Sequence, residues 1–152
     1  MAESPTEFQV EVAAALGINI TMDSRSVAAA RLRDAVAEAI GERAPVPATT
    51  KQVDFAQTLG LDVTADTLRV ASARIADALD RRNREALIAL NLQPGDRVRI
   101  RKTFEVEGRQ HESVDDFIVS TIDRTGRLHF KGGNGAGAWA TEVEKVVDPA
   151  GS

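Results

Sequence analysis

The chain has 152 residues, of which 43% are hydrophobic and 28% are charged, a balance typical of soluble folded proteins. It contains no cysteine, which excludes disulfide frameworks, thiol catalysis and cysteine-ligated zinc, and its formal net charge of −4 argues against nonspecific coating of nucleic acid. There is no apolar run of about 18 residues and no signal-peptide pattern, so we expect a cytoplasmic protein that does not associate with membranes.

An internal repeat is the strongest signal in the sequence. Shifted by 43 positions without a gap, residues 6–40 overlie residues 49–83 with 14 identities over 35 positions. Most of the other apolar positions match in kind, so chance is a poor explanation and the pattern predicts a duplicated unit. The two copies are expected to span about residues 4–41 and 47–90.

Each copy is predicted to form two helices. Thr6 and Thr49 both begin a capping box with a glutamine three residues later, and Gly17 and Gly60 follow where a helix C-terminus needs a positive φ. A Thr-x-Asp pair in each copy, "TMD" or "TAD", is predicted to provide the N-cap of the second helix. Apolar residues at helical spacing then indicate one buried face.

An arginine and an aspartate recur three residues apart in both copies, as Arg31/Asp34 and Arg74/Asp77. One interpretation is an intrahelical ion pair worth a few tenths of a kcal/mol. The other is that Arg31 and Arg74 form a paired partner-binding surface across a pseudo-twofold axis. This second interpretation requires both arginines to be exposed on the same side.

The C-terminal third changes to the period of two that is typical of strands. In "DRVRIRKTFEV", Val98 and Ile100 alternate with Arg97, Arg99 and Arg101. "DDFIVSTID" and "RLHFK" are predicted strands joined by the turn "DRTG", and "AWATEVEKVV" is predicted to give a short strand, a tight turn and a closing strand. Short antiparallel strands of this kind favour a small closed barrel, because closure removes exposed edges.

The fold class expected from these patterns is α+β, with an all-α tandem of two-helix repeats over residues 4–90 and a small antiparallel β-barrel over residues 92–149. "PGDRVRI", "LHFKGG" and "AWATEVEKV" together resemble an SH3-like small barrel of the KOW or Tudor type. The long first loop "EVEGRQHESVD" departs from compact versions of that barrel. The resemblance implies a binding module.

The helical part carries a second resemblance. "TTKQVDFAQTLG" followed by "ASARI" is similar to a short module found in the tails of bacterial and phage DNA-processing proteins. The first copy, "TEFQVEVAAALG", lacks the lysine and the phenylalanine of that pattern. The resemblance implies an accessory role in DNA transactions.

The glycine-rich stretch "KGGNGAGAWA" does not match a phosphate-binding loop. Such a loop ends in Lys-Ser/Thr and leads into a helix, and a dinucleotide fingerprint needs a βαβ context. The stretch is therefore predicted to be a flexible loop between strands. The alternative is a partner-binding rim that includes Asn134 and Trp139, with Trp139 either in the core or at the contact surface.

Basic residues alternate with apolar residues on two predicted strands, and these basic residues are candidates for binding nucleic acid. If these strands adjoin with matching faces, their cations form one patch. The alternative is a solvated outer face whose cations pair with nearby carboxylates such as Glu105, Glu107 and Asp123. The candidate nucleic-acid-binding residues are Arg97, Arg99, Arg101, Lys102, Arg127, His129 and Lys131, with Arg124 as an extension.

No catalytic or metal site is predicted, and no cofactor. The segment "HESVDD" places His111, Glu112, Asp115 and Asp116 close together in sequence. A metal site needs rigidly convergent ligands, whereas a polar loop of this composition is normally solvated.

The sequence thus leads to two functional hypotheses for a non-enzymatic binding protein. The first is a bacterial or phage accessory factor that contacts DNA through the basic strands and docks a protein partner on the helical repeats. The second is an adaptor or oligomerisation module that binds only polypeptide, including a second copy of the chain. The acidic net charge favours the second hypothesis, and the arginine-bearing strand favours the first.

Overall fold

The computed structural model of the chain describes residues 3–42, 44–132 and 135–147. Within these residues, four α-helices precede an antiparallel five-stranded sheet, so the predicted α+β class is confirmed. The elements are α1 (Glu7–Leu16), α2 (Arg25–Ala39), α3 (Thr50–Thr58), α4 (Leu68–Leu90), β1 (Arg97–Val106), β2 (Arg109–Ile122), β3 (Leu128–Phe130), β4 (Gly137–Ala138), a 3₁₀ turn (Ala140–Glu142) and β5 (Glu144–Lys145).

The chain divides into two compact units, Met1–Arg81 and Arg82–Ser152. The division falls within α4, earlier in the chain than the domain boundary near residue 91 that the sequence predicts. The reason is that Ala86, Leu87 and Leu90, near the C-terminal end of α4, pack against the apolar core of the sheet. We refer to the two parts as the helical unit and the sheet unit.

Both predicted capping boxes are present. The backbone N–H groups of Gln9 and Gln52 donate to the hydroxyls of Thr6 and Thr49, at 3.1 Å in each case. The glutamine side-chain oxygens accept in return from the threonine N–H groups at 3.0 Å. Each box satisfies two of the N–H groups that a helix start leaves without intrahelical partners.

The N-cap prediction for the second helices is wrong by a few residues. Ser24 caps α2 by accepting from the N–H of Val27 at 3.2 Å, and the hydroxyl of Thr67 accepts from the N–H of Val70 at the same distance. Thr21 instead donates its hydroxyl to Asn19 Oδ1 within a turn at 2.6 Å. The aspartates of the Thr-x-Asp pairs bind arginine, which keeps them from acting as caps.

Two small apolar clusters lie in the helical unit at positions 43 residues apart. The first contains Ala13, Ile20, Ala28 and Leu32, and the second contains Ala56, Val63, Ala71 and Ile75. A third cluster joins α2 to α4 through Val27, Ala30 and Val70. Small side chains dominate all three clusters, so the helices pack closely while burying little area per residue.

The contacts between α2 and α4 are reciprocal. The N-cap hydroxyl of Ser24 on α2 donates to Asp77 on α4, and the hydroxyl of Thr67 at the start of α4 donates to Asp34 on α2 at 2.5 Å. Positions 24 and 67 are 43 residues apart, as are positions 34 and 77. This reciprocity is the pattern of an isologous, twofold contact.

In the sheet unit the strand order is β4-β3-β2-β1-β5. The described pairing ends at β4 on one side and β5 on the other, so this sheet is open and the predicted barrel closure is not confirmed. The core consists of one apolar cluster beneath the sheet. Its members are Leu92, Val98, Val119, Leu128, Phe130, Ala138, Ala140 and Val143.

A glycine is required where β4 passes β3. A Cβ atom built on Gly137 would lie 2.4 Å from the carbonyl oxygen of Leu128, which is far inside van der Waals contact. The backbones of the two strands therefore approach more closely there than any side chain allows. This gives one glycine of "KGGNGAGAWA" a structural role.

The long loop predicted between the first two strands is instead a β-ribbon. β1 and β2 pair continuously from Arg97↔Ile118 to Val106↔Arg109, and the turn residues Glu107 and Gly108 have φ values of 51° and 76°. Positive φ at both turn residues is the signature of a two-residue type I′ hairpin. Polar residues on both faces of the ribbon hide the alternation that normally reveals a strand.

No helix within the described ranges is both long enough and apolar enough to cross a bilayer.

Candidate interaction surfaces

The three arginines of β1 lie on one face of the sheet, as predicted, but two of them are neutralised there. Arg99 forms a forked pair with Asp116 on β2, with Nε–Oδ1 at 2.8 Å and Nη2–Oδ2 at 3.2 Å. Arg101 binds Glu112 at 2.9 Å and Glu144 on β5 at 3.1 Å. Arg99 and Arg101 therefore follow the alternative of an outer face with paired cations, because both neighbouring strands contribute carboxylates to it, although the partners differ from the predicted Glu105, Glu107 and Asp123.

The basic residues of β3 do not extend a continuous cationic patch either. β2 lies between β1 and β3, so the two basic strands are not adjacent. His129 contacts Asp123 at 2.8 Å, and the Arg127 guanidinium lies 5.7 Å from the centre of the Trp139 ring. Lys131 lines a shallow depression together with Arg97, and Asp116 lies beside them.

The ion pairs perturb the titration of their members. Hydrogen bonding to Arg99 lowers the pKa of Asp116 below its ordinary value of 3.8, with further lowering from the charges of Arg99, Arg97 and Arg101. The same pair raises the pKa of Arg99, and the hydrogen bond that Arg101 donates to Glu112 is the main cause of the rise in the pKa of Arg101. Hydrogen bonds from Thr125 and then His129 hold the pKa of Asp123 far below its usual range.

We expect the substitution Arg99→Gln to raise the pKa of Asp116 toward 3.8, because it removes the strongest charge-assisted donor. In the native chain the folded pKa lies below the unfolded value. The pair therefore stabilises the fold above about pH 4, and this contribution disappears as the pH falls through the folded pKa. Carboxyl ¹³C NMR titration measures the shift, with Arg124→Gln as an exposed control. An unchanged Asp116 titration in Arg99→Gln contradicts the assignment.

The predicted partner-binding rim lies partly outside the described residues, since Asn134 is not among them. Trp139 is half-buried, with Arg127 over its ring, and its backbone N–H donates to Glu142 Oε2 at 2.7 Å. The ring thus belongs partly to the packing of the sheet unit and partly to its surface. Both interpretations of Trp139 made from the sequence remain predictions.

Arg31 and Arg74 have a structural role that neither sequence interpretation included. Arg31 pairs with Asp23 at 2.7 Å and Arg74 with Asp66 at 2.5 Å, each across the turn that precedes its own helix. Both arginines are half-buried. Asp34 and Asp77, the expected intrahelical partners, accept instead from Thr67 and Ser24 across the α2–α4 contact.

Two shallow apolar grooves lie on the helical unit, one between α1 and α2 and one between α3 and α4. The first, groove 1, leaves large apolar side chains in solvent, with Phe8 73% and Ile40 67% exposed. Groove 1 is lined by Phe8, Gln9, Val12, Leu32, Arg33, Val36, Ala37, Ile40, Glu42 and Arg69. Groove 2 is lined by Lys51, Gln52, Phe55, Ser72, Ile75, Ala76 and Leu79.

The two grooves correspond residue by residue. Each lining residue of groove 2 except Ser72 lies 43 positions after a lining residue of groove 1, as Val36/Leu79 illustrates. Val36 is 41% exposed and Leu79 is 44% exposed, so the centres of the grooves are equally accessible. Cationic side chains stand at both rims, namely Arg33 and Arg69 beside groove 1 and Lys51 beside groove 2.

The residues of "HESVDD" lie on β2 and not in a loop. Successive side chains of a strand point to opposite faces, which separates His111 and Asp115 from Glu112 and Asp116. Across the described ranges, no group of three or more histidine and acidic side chains is placed to hold a metal ion.

Sequence reasoning missed both grooves. The signal for them was present in the repeat: Val12, Leu32 and Val36 match Phe55, Ile75 and Leu79 as apolar residues of larger size than the alanines around them. Periodicity assigned Leu32, Val36, Ile75 and Leu79 to a buried face. Leu32 and Ile75 are buried in the two apolar clusters as predicted, whereas Val36 and Leu79 lie at the uncovered edge of the apolar stripe.

No protein-family model matches the chain, and no curated protein or solved structure is significantly similar to it.

Proposed function

We propose that this protein is a non-enzymatic adaptor whose helical unit binds helical segments of a partner protein in two equivalent grooves. The observation that carries the proposal is the pair of apolar grooves at a 43-residue offset, each with exposed large side chains at its centre. Large apolar side chains left together in solvent are a mark of interaction sites. An amphipathic helix laid into a groove is a recurring way to cover them.

The charge at the groove rims favours an acidic partner segment. Groove 1 carries Arg33 and Arg69 against Glu42, with Arg69 also 3.8 Å from Asp34, and groove 2 carries Lys51 with no acidic lining residue. A helix with leucine-like anchors on one face and glutamate on its flanks complements both grooves. Because the chain presents two such sites, a partner with two copies of the segment gains affinity by avidity.

We further propose that the helical unit arose by tandem duplication of a two-helix module and that the sheet unit is an SH3-like barrel. The first proposal is supported by equivalent capping boxes, Arg–Asp pairs and apolar clusters at a 43-residue spacing. The second is supported by β5 pairing with β1 and by the 3₁₀ turn between β4 and β5. Both architectures are common hosts of binding functions.

Binding of designed helical peptides tests the adaptor function. We expect an amphipathic peptide with leucine at i, i+3, i+4 and i+7 and glutamate elsewhere to bind with a stoichiometry of two by isothermal titration calorimetry. A lysine counterpart of the same peptide is expected to bind more weakly. Val36→Glu and Leu79→Glu are each expected to remove one site, and the double substitution both, since each places a charge in an apolar contact.

Ile88→Glu is the matched control, because Ile88 is 79% exposed and belongs to the sheet unit. Peptide binding that persists in the Val36→Glu/Leu79→Glu chain, or no binding to the native chain, contradicts the adaptor function. Sedimentation velocity of the chain without peptide tests whether a second copy of the chain, instead of a partner protein, fills the grooves. If the native chain self-associates and the double variant does not, the grooves are filled by a second copy.

A further inference from the structure

The outer half of the β1–β2 ribbon is a two-stranded arm that no other part of the described chain covers. Every residue from 101 to 112 is exposed. At about 3.3 Å per residue, the six residues from Arg101 to Val106 extend roughly 20 Å. Such an arm contributes nothing to the apolar core of the sheet unit, whose β1 and β2 members lie at the base of the ribbon.

The two faces of the arm differ in chemistry. We call the side that continues from Val98 and Ile100 the aromatic face. Phe104 and His111, opposite each other in the register, stack there with ring centres 5.6 Å apart and planes at 19°. The residues of the aromatic face are Lys102, Phe104, Val106, Arg109, His111 and Ser113.

The aromatic face is cationic. Lys102 and Arg109 flank the stacked pair, and neither forms an ion pair within 4.0 Å among the described residues. Acidic side chains are confined to its ends, with Glu107 in the turn and Asp115 at the base opposite Ile100. The opposite face of the arm carries Glu105 and Glu112 beside Arg101, so charge is segregated between the faces despite the net charge of −4.

We propose that the aromatic face binds single-stranded nucleic acid, with Lys102 and Arg109 contacting phosphates and Phe104 stacking on a base. Phe104 is 49% exposed, so part of its ring remains available beyond the contact with His111. Aromatic rings between cations are the combination by which single strands are held without sequence readout. This surface replaces the arginine face of β1, on which Arg99 and Arg101 are paired with carboxylates of the sheet.

Fluorescence anisotropy with a labelled dT₁₅ oligonucleotide and the full chain tests the proposal. We expect binding at 50 mM salt that weakens about sevenfold at 200 mM, the loss for two phosphate contacts on a single strand. Lys102→Glu/Arg109→Glu is expected to weaken binding at least tenfold. Phe104→Leu, which keeps an apolar side chain and removes the ring, is expected to weaken it about fivefold or more.

Arg97→Glu/Lys131→Glu is the matched control, because it changes the net charge by the same amount on the other face of the sheet unit. Less than a twofold effect is expected from it. The proposal is overturned by no binding at 50 mM salt, by equal effects of the two double substitutions, or by equal affinity for a 15-base-pair duplex. It is also overturned if polyglutamate binds as tightly as the oligonucleotide, since polyglutamate offers charge without bases. Circular dichroism and Trp139 fluorescence verify that each variant is folded.

Discussion

Replacement of Asn83 by leucine is expected to destabilise the sheet unit by about 2–5 kcal/mol. Asn83 is 3% exposed, and its side chain holds two backbone groups. Its Nδ2 donates to the carbonyl of Gly126 at 3.1 Å, and its Oδ1 accepts from the N–H of Ala140 at 2.6 Å. Leucine has the same number and branching of side-chain heavy atoms but leaves both backbone groups buried without partners, and each such group costs about 1–3 kcal/mol.

The position of Asn83 explains the size of this effect. It lies in α4 and ties that helix both to the turn before β3 and to the 3₁₀ turn after β4. Gly126 approaches so closely that a Cβ there would lie 2.9 Å from Asn83 Nδ2. A single amide thus joins three segments of the sheet unit.

Urea unfolding followed by the fluorescence of Trp139, the one tryptophan of the chain, measures the loss in the sheet unit. Asn83→Asp retains an acceptor for Ala140 but places a buried carboxylate oxygen against the Gly126 carbonyl, so a loss at least as large is expected. The control Arg82→Leu, which replaces the exposed residue next to Asn83, is expected to change the free energy of unfolding by less than about 0.5 kcal/mol. A loss below about 1 kcal/mol in Asn83→Leu would show that the amide is not the link between these segments.

Removal of Asp34 or Asp77 is expected to destabilise the helical unit by about 1–3 kcal/mol each. Asp34 is buried and accepts from Thr67, while Asp77 accepts from Ser24 and, at 2.7 Å, from Ser26. Each carboxylate holds the N-cap residue of the other helix, so its loss frees a hydroxyl in the α2–α4 contact. The larger loss is expected for Asp34→Ala, because Asp34 is the more buried of the two.

A double-mutant cycle isolates this contact. The loss in Asp34→Ala/Thr67→Val is expected to be smaller than the sum of the single losses by at least about 0.5 kcal/mol, since the two groups interact directly. Far-UV circular dichroism during urea unfolding follows the helices, and Asp54→Ala, an exposed aspartate on α3, serves as the control. Strict additivity of the two substitutions would exclude the reciprocal contact as a source of stability.

Local features of this fold were predictable because they depend on residues close in sequence. The capping boxes at Thr6 and Thr49, the strand alternation around Val98 and the turn at Gly126 all follow from short patterns. The ribbon was the exception. Its turn dipeptide, Glu107-Gly108, is not one of the dipeptides that most strongly favour a type I′ turn. Charged residues on both faces of the ribbon also mask the period of two that is typical of strands.

The candidate sites depended on partners that are distant in sequence. Arg101 binds Glu112 across the ribbon and Glu144 on β5. Strand pairing therefore neutralises part of the predicted basic face. The grooves depended likewise on which side of each apolar stripe the alanine clusters bury. The larger apolar residues at matched positions of the repeat marked the grooves, but the pattern did not show which of these residues stay in solvent.

The sequence by itself determined where this chain forms its helices and most of its strands, the outer ribbon excepted, because capping and periodicity act through near neighbours. Only the tertiary structure decided which charges are neutralised and which apolar residues stay in solvent. Both outcomes depend on the groups that long-range packing brings within a few ångströms of each side chain, and Coulomb attraction and desolvation act at that range.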